Sequence, residues 1–185
     1  MNQLPVEKSA RVFFALWPNG AERAALAAWQ PGLRQICGGR SMRVDTLHVT
    51  LVFLGDVARS QLEALQLAAQ EVEGESFDLE FSCARYWGHN RIVHAAPEVV
   101  PTQLERLVRN LEQCLTNHRF RFDRYPYKPH VTLLRNAHWN APLLPEMRKV
   151  VWQARNFVLV QSAPDKEGAN YRILASFPLR DILII

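Results

Sequence analysis

The tetrapeptide His-Val-Thr-Leu occurs twice in this chain, at His48 to Leu51 and again at His130 to Leu133. A repeated string of four is a weak signal by itself, since chance supplies such repeats in chains of this length. Its setting is what constrains the fold. Each copy forms the β-branched, apolar centre of a strand, in "LHVTLVFLG" ended by Gly55 and in "HVTLLR". Each is preceded by a strand and then a helix, so the chain spells one grammar twice and predicts two similar lobes.

In the first half, "RVFFALWP" reads as a strand stopped by Pro18, and "GAERAALAAWQ" is alanine-rich and helical. "PGLRQICGGR" then reads as a break, through Pro31, Gly38 and Gly39. After the first motif, Ser60 and Glu63 form a capping-box pattern before Leu62, Leu65, Ala69 and Val72 at helical spacing. "FDLEFSCARYW" alternates Phe77, Leu79, Phe81 and Cys83 to one side, as a half-buried strand does. In the second half, "RIVHAAP" is a strand and Thr102 with Glu105 makes a second capping-box pattern. Leu104, Leu107, Val108, Leu111 and Leu115 form a helical stripe, Pro142 and Pro145 bracket a short turn or helix, and "NFVLVQS" and "YRILASFPL" close the chain as strands.

The expected fold class is α+β: two similar lobes, each an antiparallel sheet with helices on the outer face, enclosing a central cleft that receives one motif from each lobe. One domain over residues 1–185 is expected, with approximate halves 1–88 and 89–185; an exchange of strands between the lobes is compatible with the same pattern. At 48% hydrophobic, 185 residues suffice for one packed core. The early apolar run "VFFALW" is too short for a membrane span, and no later stretch approaches one. Cys37, Cys83 and Cys114 are odd in number and far apart, which fits neither a disulfide framework nor a zinc ribbon. A cytoplasmic protein, with no membrane partner, is the expectation.

The net charge is +4 and most of the cations are arginine, whose fork suits phosphate oxygens. The densest patch is "RFRFDRYPYKPH", where Arg119, Arg121, Arg124 and Lys128 interleave with Phe120, Phe122, Tyr125 and Tyr127. Such a segment can hold nucleic acid through phosphate contacts and base stacking. A strand with its aromatics inward and its arginines in water would carry the same pattern.

Side chains two apart on a strand share a face. His48 therefore sides with Thr50, and His130 with Thr132, while Val49, Leu51, Val131 and Leu133 turn into the core. Two lobes meeting along these strands would set two imidazoles and two hydroxyls around one phosphate. The hydroxyls donate to nonbridging oxygens and the imidazoles flank the attacking and leaving oxygens, one as neutral base and one as cationic acid near neutral pH. The arrangement calls for no metal and no cofactor. His89 and His94, five apart, have no useful ligand spacing, His118 closes a helix and His138 sits in a polar loop; none of them is assigned to catalysis.

These residues resemble the two-histidine phosphoesterases, and within them the bacterial RNA 2',3'-cyclic phosphodiesterases, also called 2'-5' RNA ligase-like proteins. The resemblance rests on the two His-x-Thr-x motifs and extends through "RVFFALWP", "LHVTLVFLG", "KPHVTLLR" and "YRILASFPL", nearly the whole chain. It implies hydrolysis of RNA or nucleoside 2',3'-cyclic phosphates to 2'-phosphomonoesters, with reversible 2'-5' joining of RNA ends, without metal and without ATP; a monomer is expected. His130 would activate the attacking water, His48 would protonate the departing 3'-oxygen, and Thr50 and Thr132 would stabilise the phosphorane.

The resemblance also makes Arg135 a phosphate- or substrate-contacting arginine, five residues past His130. Strand parity opposes this: on a regular strand Arg135 points away from the face of His130 and Thr132, and reaches the cleft only if the strand ends or bulges near Leu134. Phe14, on a first strand that lines the cleft in this family, is a candidate for stacking a base or for the core. Tyr127, in "YPYKPH", is a candidate cleft wall or loop staple. Two other classes stay in view. A noncatalytic RNA-end binding module would need neither histidine, and a metal-dependent phosphoesterase is disfavoured by the lack of a carboxylate and histidine cluster at ligand spacing.

Overall fold

A strand in which consecutive residues are all apolar has both faces to bury, and β1 (Ser9–Leu16) is buried at every position from Val12 to Leu16. In the computed structural model, which describes residues 8–141, 143–165 and 168–181, β1 accordingly lies inside a sheet rather than at its edge. After it come α1 (Gly20–Ala27), α2 (Gln30–Cys37), β2 (Arg40–Ser41), β3 (Val49–Ala58), α3 (Leu62–Gln70), β4 (Phe77–Trp87) and β5 (Ile92–Pro97). The chain continues through α4 (Thr102–Asn117), β6 (Val131–Arg135), β7 (Glu146–Ala154), β8 (Asn156–Asp165) and β9 (Gly168–Pro178).

Two antiparallel sheets result, ordered β3-β1-β8-β9 and β2-β6-β5-β4-β7. The α+β, two-lobed expectation holds, but the lobes are not the sequence halves 1–88 and 89–185. β4 joins β5, β6 and β7 in the second sheet, while β8 and β9 return to β1 and β3 in the first. The two sheets correspond strand for strand, since β3-β1-β8-β9 matches β6-β5-β4-β7. The motif strands β3 and β6 thus sit at the margins of their sheets, β6 being flanked outside only by the two residues of β2.

The helices cross between the lobes. α1 and α2, connecting two strands of the first sheet, pack on β7 and on β2 and β6 of the second. α4, connecting two strands of the second, packs on β3 and on α3. This exchange merges both lobes into one core, in which Phe14, Phe81, Trp152 and Phe157 are the largest fully buried side chains. Burying each such ring contributes about 1.5–3 kcal/mol or more.

Local pattern misleads at several helix ends. Pro31 does not break the chain's helicity: it occupies the first turn of α2, where its missing N–H has no partner to lose. Neither expected capping box forms. Residues 59–61 make a 3-10 turn, so α3 starts beyond Ser60, and Thr102 is already inside α4 behind Pro101. The box that does form is Asn19 with Glu22, whose side chains each accept the other's backbone N–H, at 2.9 and 2.8 Å. Pro142 lies outside the described residues; after Pro145 comes the strand β7, burying Val150, Trp152 and Ala154 on alternate positions.

Candidate active site

Both motif strands are irregular at the same place. Along β1 and β3 the pairing passes from Ala15 with Thr50 to Phe14 with Val52, leaving Leu51 as an extra residue. Along β5 and β6 it passes from His94 with Thr132 to Val93 with Leu134, leaving Leu133 extra. The last residue of each His-Val-Thr-Leu is therefore a β-bulge. Leu51 and Val52 are buried consecutively, as are Leu133 and Leu134, so the alternation slips by one and the fifth residue past each histidine returns to the histidine's side. Those residues are Phe53 and Arg135.

The bulge at Leu133 is held from behind. The buried side chain of Gln30 donates to the carbonyls of Leu133 and Met42 at 3.0 and 2.9 Å, and the Met42 N–H donates to Leu133 as well. Gly39, at φ +82°, lets the following residues approach; a Cβ there would stand 2.6 Å from the carbonyl oxygen of Arg135.

A cavity of about 160 Å³ lies between the two strands, lined by His48, Thr50, His130, Thr132 and Arg135 together with Phe13, Met42, Thr46, Phe53 and Tyr171. Among these described residues none is acidic, and Arg135 supplies the permanent positive charge. Such a lining favours an anion.

The histidines are oriented alike. The 3-10 turn Val44–Thr46 presents the Thr46 carbonyl to His48 Nδ1 at 2.7 Å, and Lys128 presents its carbonyl to His130 Nδ1 at 2.8 Å. A carbonyl can only accept, so both rings carry their neutral-state proton on Nδ1 and keep a lone pair on Nε2. His48 Nε2 accepts from the Thr50 hydroxyl at 3.1 Å. Aromatic rings brace each imidazole. Trp17 stacks on His48 at 5.3 Å with 11° between planes and Tyr171 meets its edge, while Trp87 meets His130 edge-on at 4.5 Å.

Burial pushes His48 down to about 4, with the charges of His130 and Arg135 adding to the effect; His130 is lowered for the same principal reason, aided by Arg135. Burial also holds His94 down to about 3. Its ring lies 5.5 Å from that of His130 and 3.9 Å from Trp87, a proximity that sequence spacing does not reveal.

Two sequence candidates stand elsewhere. Phe14 is wholly buried against Phe157 and Phe177 in the core and offers nothing to a ligand. The ring that reaches the cavity from β1 is that of its neighbour Phe13, 5.1 Å from His48, because adjacent strand residues face opposite sides. Tyr127 lines a separate groove beside α4, with Val108 and Arg109 among its neighbours, and its buried hydroxyl has no hydrogen-bond partner among the described residues. The fold also gathers a carboxylate and histidine set that spacing does not show. Glu71, Cys114 and His118 have donor atoms within 4.8 Å of one another, but outside the cavity lining, with His118 paired to Glu71 and the thiol donating to the Ala68 carbonyl.

A bilobal α+β fold that carries one His-x-Thr-x strand from each sheet to a single acid-free cavity defines a two-histidine phosphoesterase architecture. The chain belongs to the 2'-5' RNA ligase superfamily, whose family model it matches over residues 17–163. It is 29% identical over 170 residues to the RNA 2',3'-cyclic phosphodiesterase of Escherichia coli K12, covering 91% of this chain and 96% of that one. It is similar in structure to Escherichia coli LigT in apo form, with a TM-score of 0.85 and 27% identity over 94% of this chain and 99% of the other. LigT complexed with 3'-AMP gives a TM-score of 0.84 at 27% identity, over 93% and 99% of the two chains.

Proposed function

We propose that this chain hydrolyses RNA and nucleoside 2',3'-cyclic phosphates to 2'-phosphomonoesters by acid and base catalysis from two histidines. The observation that carries this reading is the matched pair of imidazoles, each fixed through Nδ1 on a backbone carbonyl so that Nε2 is left for the shared cavity. His130 Nε2 takes a proton from water as its oxygen attacks phosphorus. The bond from phosphorus to O3' breaks in line, and His48, protonated on Nε2, gives its proton to O3'. Water's oxygen stays on phosphorus, the 2'-ester bond is kept, and the proton passes in effect from one imidazole to the other. With an RNA 5'-hydroxyl in place of water, the same displacement forms a 2'-5' linkage.

Thr50, Thr132 and Arg135 meet the charge that gathers on the equatorial oxygens, an electrostatic role of the oxyanion-hole kind. The bound phosphate anion raises both imidazoles from their depressed values, which supplies the acid form of His48 that the leaving oxygen requires. Acid, base and charge stabilisation are all supplied by side chains, so turnover in the presence of a chelator is expected. Among the described residues no helix is long and apolar enough to cross a membrane.

The test is hydrolysis of a 2',3'-cyclic nucleotide by His48→Ala and, separately, His130→Ala. Each should lose about 10²–10⁴-fold in kcat while remaining folded. Unchanged turnover in either variant would rule the mechanism out, and tight binding by the parent protein without turnover would favour an RNA-end binding module instead.

A further inference from the structure

The cavity has room for the cyclic phosphate and its immediate surroundings, yet the segment leading to it carries chemistry the reaction does not use. Residues 120–130 have no helix or strand, although they join α4 to β6 directly. Their course is fixed at the site. The N–H of Asp123 donates to the carbonyl of Phe53 at 2.8 Å, and the Phe53 ring lines the cavity. At the far end, the carbonyl of Lys128 orients His130.

Along this segment Arg119, Arg121, Arg124 and Lys128 are exposed and Asp123 is its one carboxylate, while Glu105 and Glu112 of α4 line the groove that Tyr125 and Tyr127 share. Among the described residues no carboxylate pairs with Arg121 or Lys128. Most exposed cations on a small protein need no partner, but here they are strung along an extended backbone between aromatics. Phe120, Phe122 and Tyr127 pack against the core, as a strand with its aromatics inward would have them, but the segment forms no strand and its fourth ring does not follow. Tyr125 is left in water at 78% exposure, and the Arg124 guanidinium lies 4.7 Å over the Phe122 ring, a flat cationic platform. Stacking surfaces interleaved with unneutralised cations are what a flexible single strand requires: bases stack without regard to sequence, and phosphates find guanidinium and ammonium groups between them.

We infer that residues 119–128 form the track for the RNA strand on the 5' side of the cyclic phosphate, with Arg121, Arg124 and Lys128 on its phosphates and Tyr125 stacking a base. This inference rests on the cyclic phosphodiesterase reading of the cavity. It makes the preferred substrate an oligonucleotide rather than a free cyclic mononucleotide, because only a chain can reach both places at once. The occupant is a nucleic acid strand rather than an acidic protein segment, since the exposed ring and the platform favour stacked bases.

The test compares a 2',3'-cyclic mononucleotide with a short RNA ending in a 2',3'-cyclic phosphate, using the full chain and the variants Tyr125→Ala and Arg121→Ser/Arg124→Ser. The parent protein should show a higher kcat/KM on the RNA, falling steeply with salt. Tyr125→Ala should raise KM on the RNA about five-fold or more. The double variant should lessen the slope of log(kcat/KM) against log[salt] on the RNA by roughly 0.7 for each phosphate that is no longer neutralised. Both should keep parental kcat/KM on the mononucleotide. Equal kcat/KM on the two substrates, an unchanged salt slope, or equal loss on both substrates would overturn the track. Failure of the parent to hydrolyse either substrate would instead overturn the reading of the cavity itself.

Discussion

Phe53 and Arg135 hold the same place in the two motif strands, each five residues past its histidine and each turned to the cavity by a bulge at the last residue of His-Val-Thr-Leu. The site is therefore symmetric in its imidazoles and hydroxyls and asymmetric in its charge. One lobe brings an aromatic face and the other a guanidinium, which gives a substrate two distinguishable ends.

Because Arg135 supplies the cavity's fixed cation, Arg135→Met should reduce kcat/KM on a cyclic nucleotide by about 10²-fold, as removal of a preorganised charge does. Its charge also depresses His48 and His130. Removing it should move both limbs of the kcat/KM profile to higher pH, whereas a merely structural arginine would leave them in place.

In the proposed mechanism, kcat/KM of the parent protein reports the free enzyme with the acid His48 protonated and the base His130 neutral. Both imidazoles lie below 6.5, His48 at about 4. The kcat/KM optimum should thus fall below pH 6.5, with kcat displaced upward by the bound phosphate; an optimum of kcat/KM above pH 6.5 would contradict the assignment. The same depressed groups, with His94 at about 3, bind protons more readily when unfolded. Their contribution to stability is full above 6.5 and is lost as pH falls toward 4 and 3, so the thermal midpoint should drop over that interval.

Thr50 and Thr132 are expected to act on the transition state rather than on substrate affinity. Thr50→Val and Thr132→Val should each lower kcat by about 10²-fold with little change in KM, and the serine replacements, which keep the hydroxyl, should recover most of it. A change confined to KM would place these residues in ground-state binding.

Phe13 and Phe14 separate chemistry from stability. Phe14→Ala leaves a hole in the core and should cost about 3–5 kcal/mol in denaturant unfolding, with kcat per folded molecule unchanged. Phe13→Leu keeps most of the buried volume but removes the ring beside His48, and should lower kcat by up to about 10²-fold through misplacement of the imidazole. Equal effects of the two on kcat would refute the division.

The repeated tetrapeptide makes the two-lobe architecture legible because its strands carry the same flanking elements. The sorting of strands into lobes is not legible, since β8 and β9 look like a continuation of the second half and only long-range pairing returns them to β1. His48, Thr50, His130 and Thr132 follow from period-two geometry, which holds as far as the bulge. Past it parity fails: the rule that would point Arg135 away assumes a regular ladder, and the residue that holds the irregularity, Gln30, lies 103 positions from Leu133 in sequence. Preferring Phe14 to Phe13 fails for the converse reason, since every residue from Val12 to Leu16 is apolar and the pattern gives no face to prefer. Trp17, Trp87 and Tyr171, which brace the imidazoles, carry no local signal at all.

The most direct measurement of the central claim is the position of phosphate in the product, by phosphorus NMR on a 2',3'-cyclic nucleotide turned over in the presence of a chelator. With His48 delivering its proton to O3', the product is the 2'-phosphomonoester, and neither His48→Ala nor His130→Ala forms it at an appreciable rate. A 3'-phosphate product, or turnover that the chelator abolishes, would contradict the account.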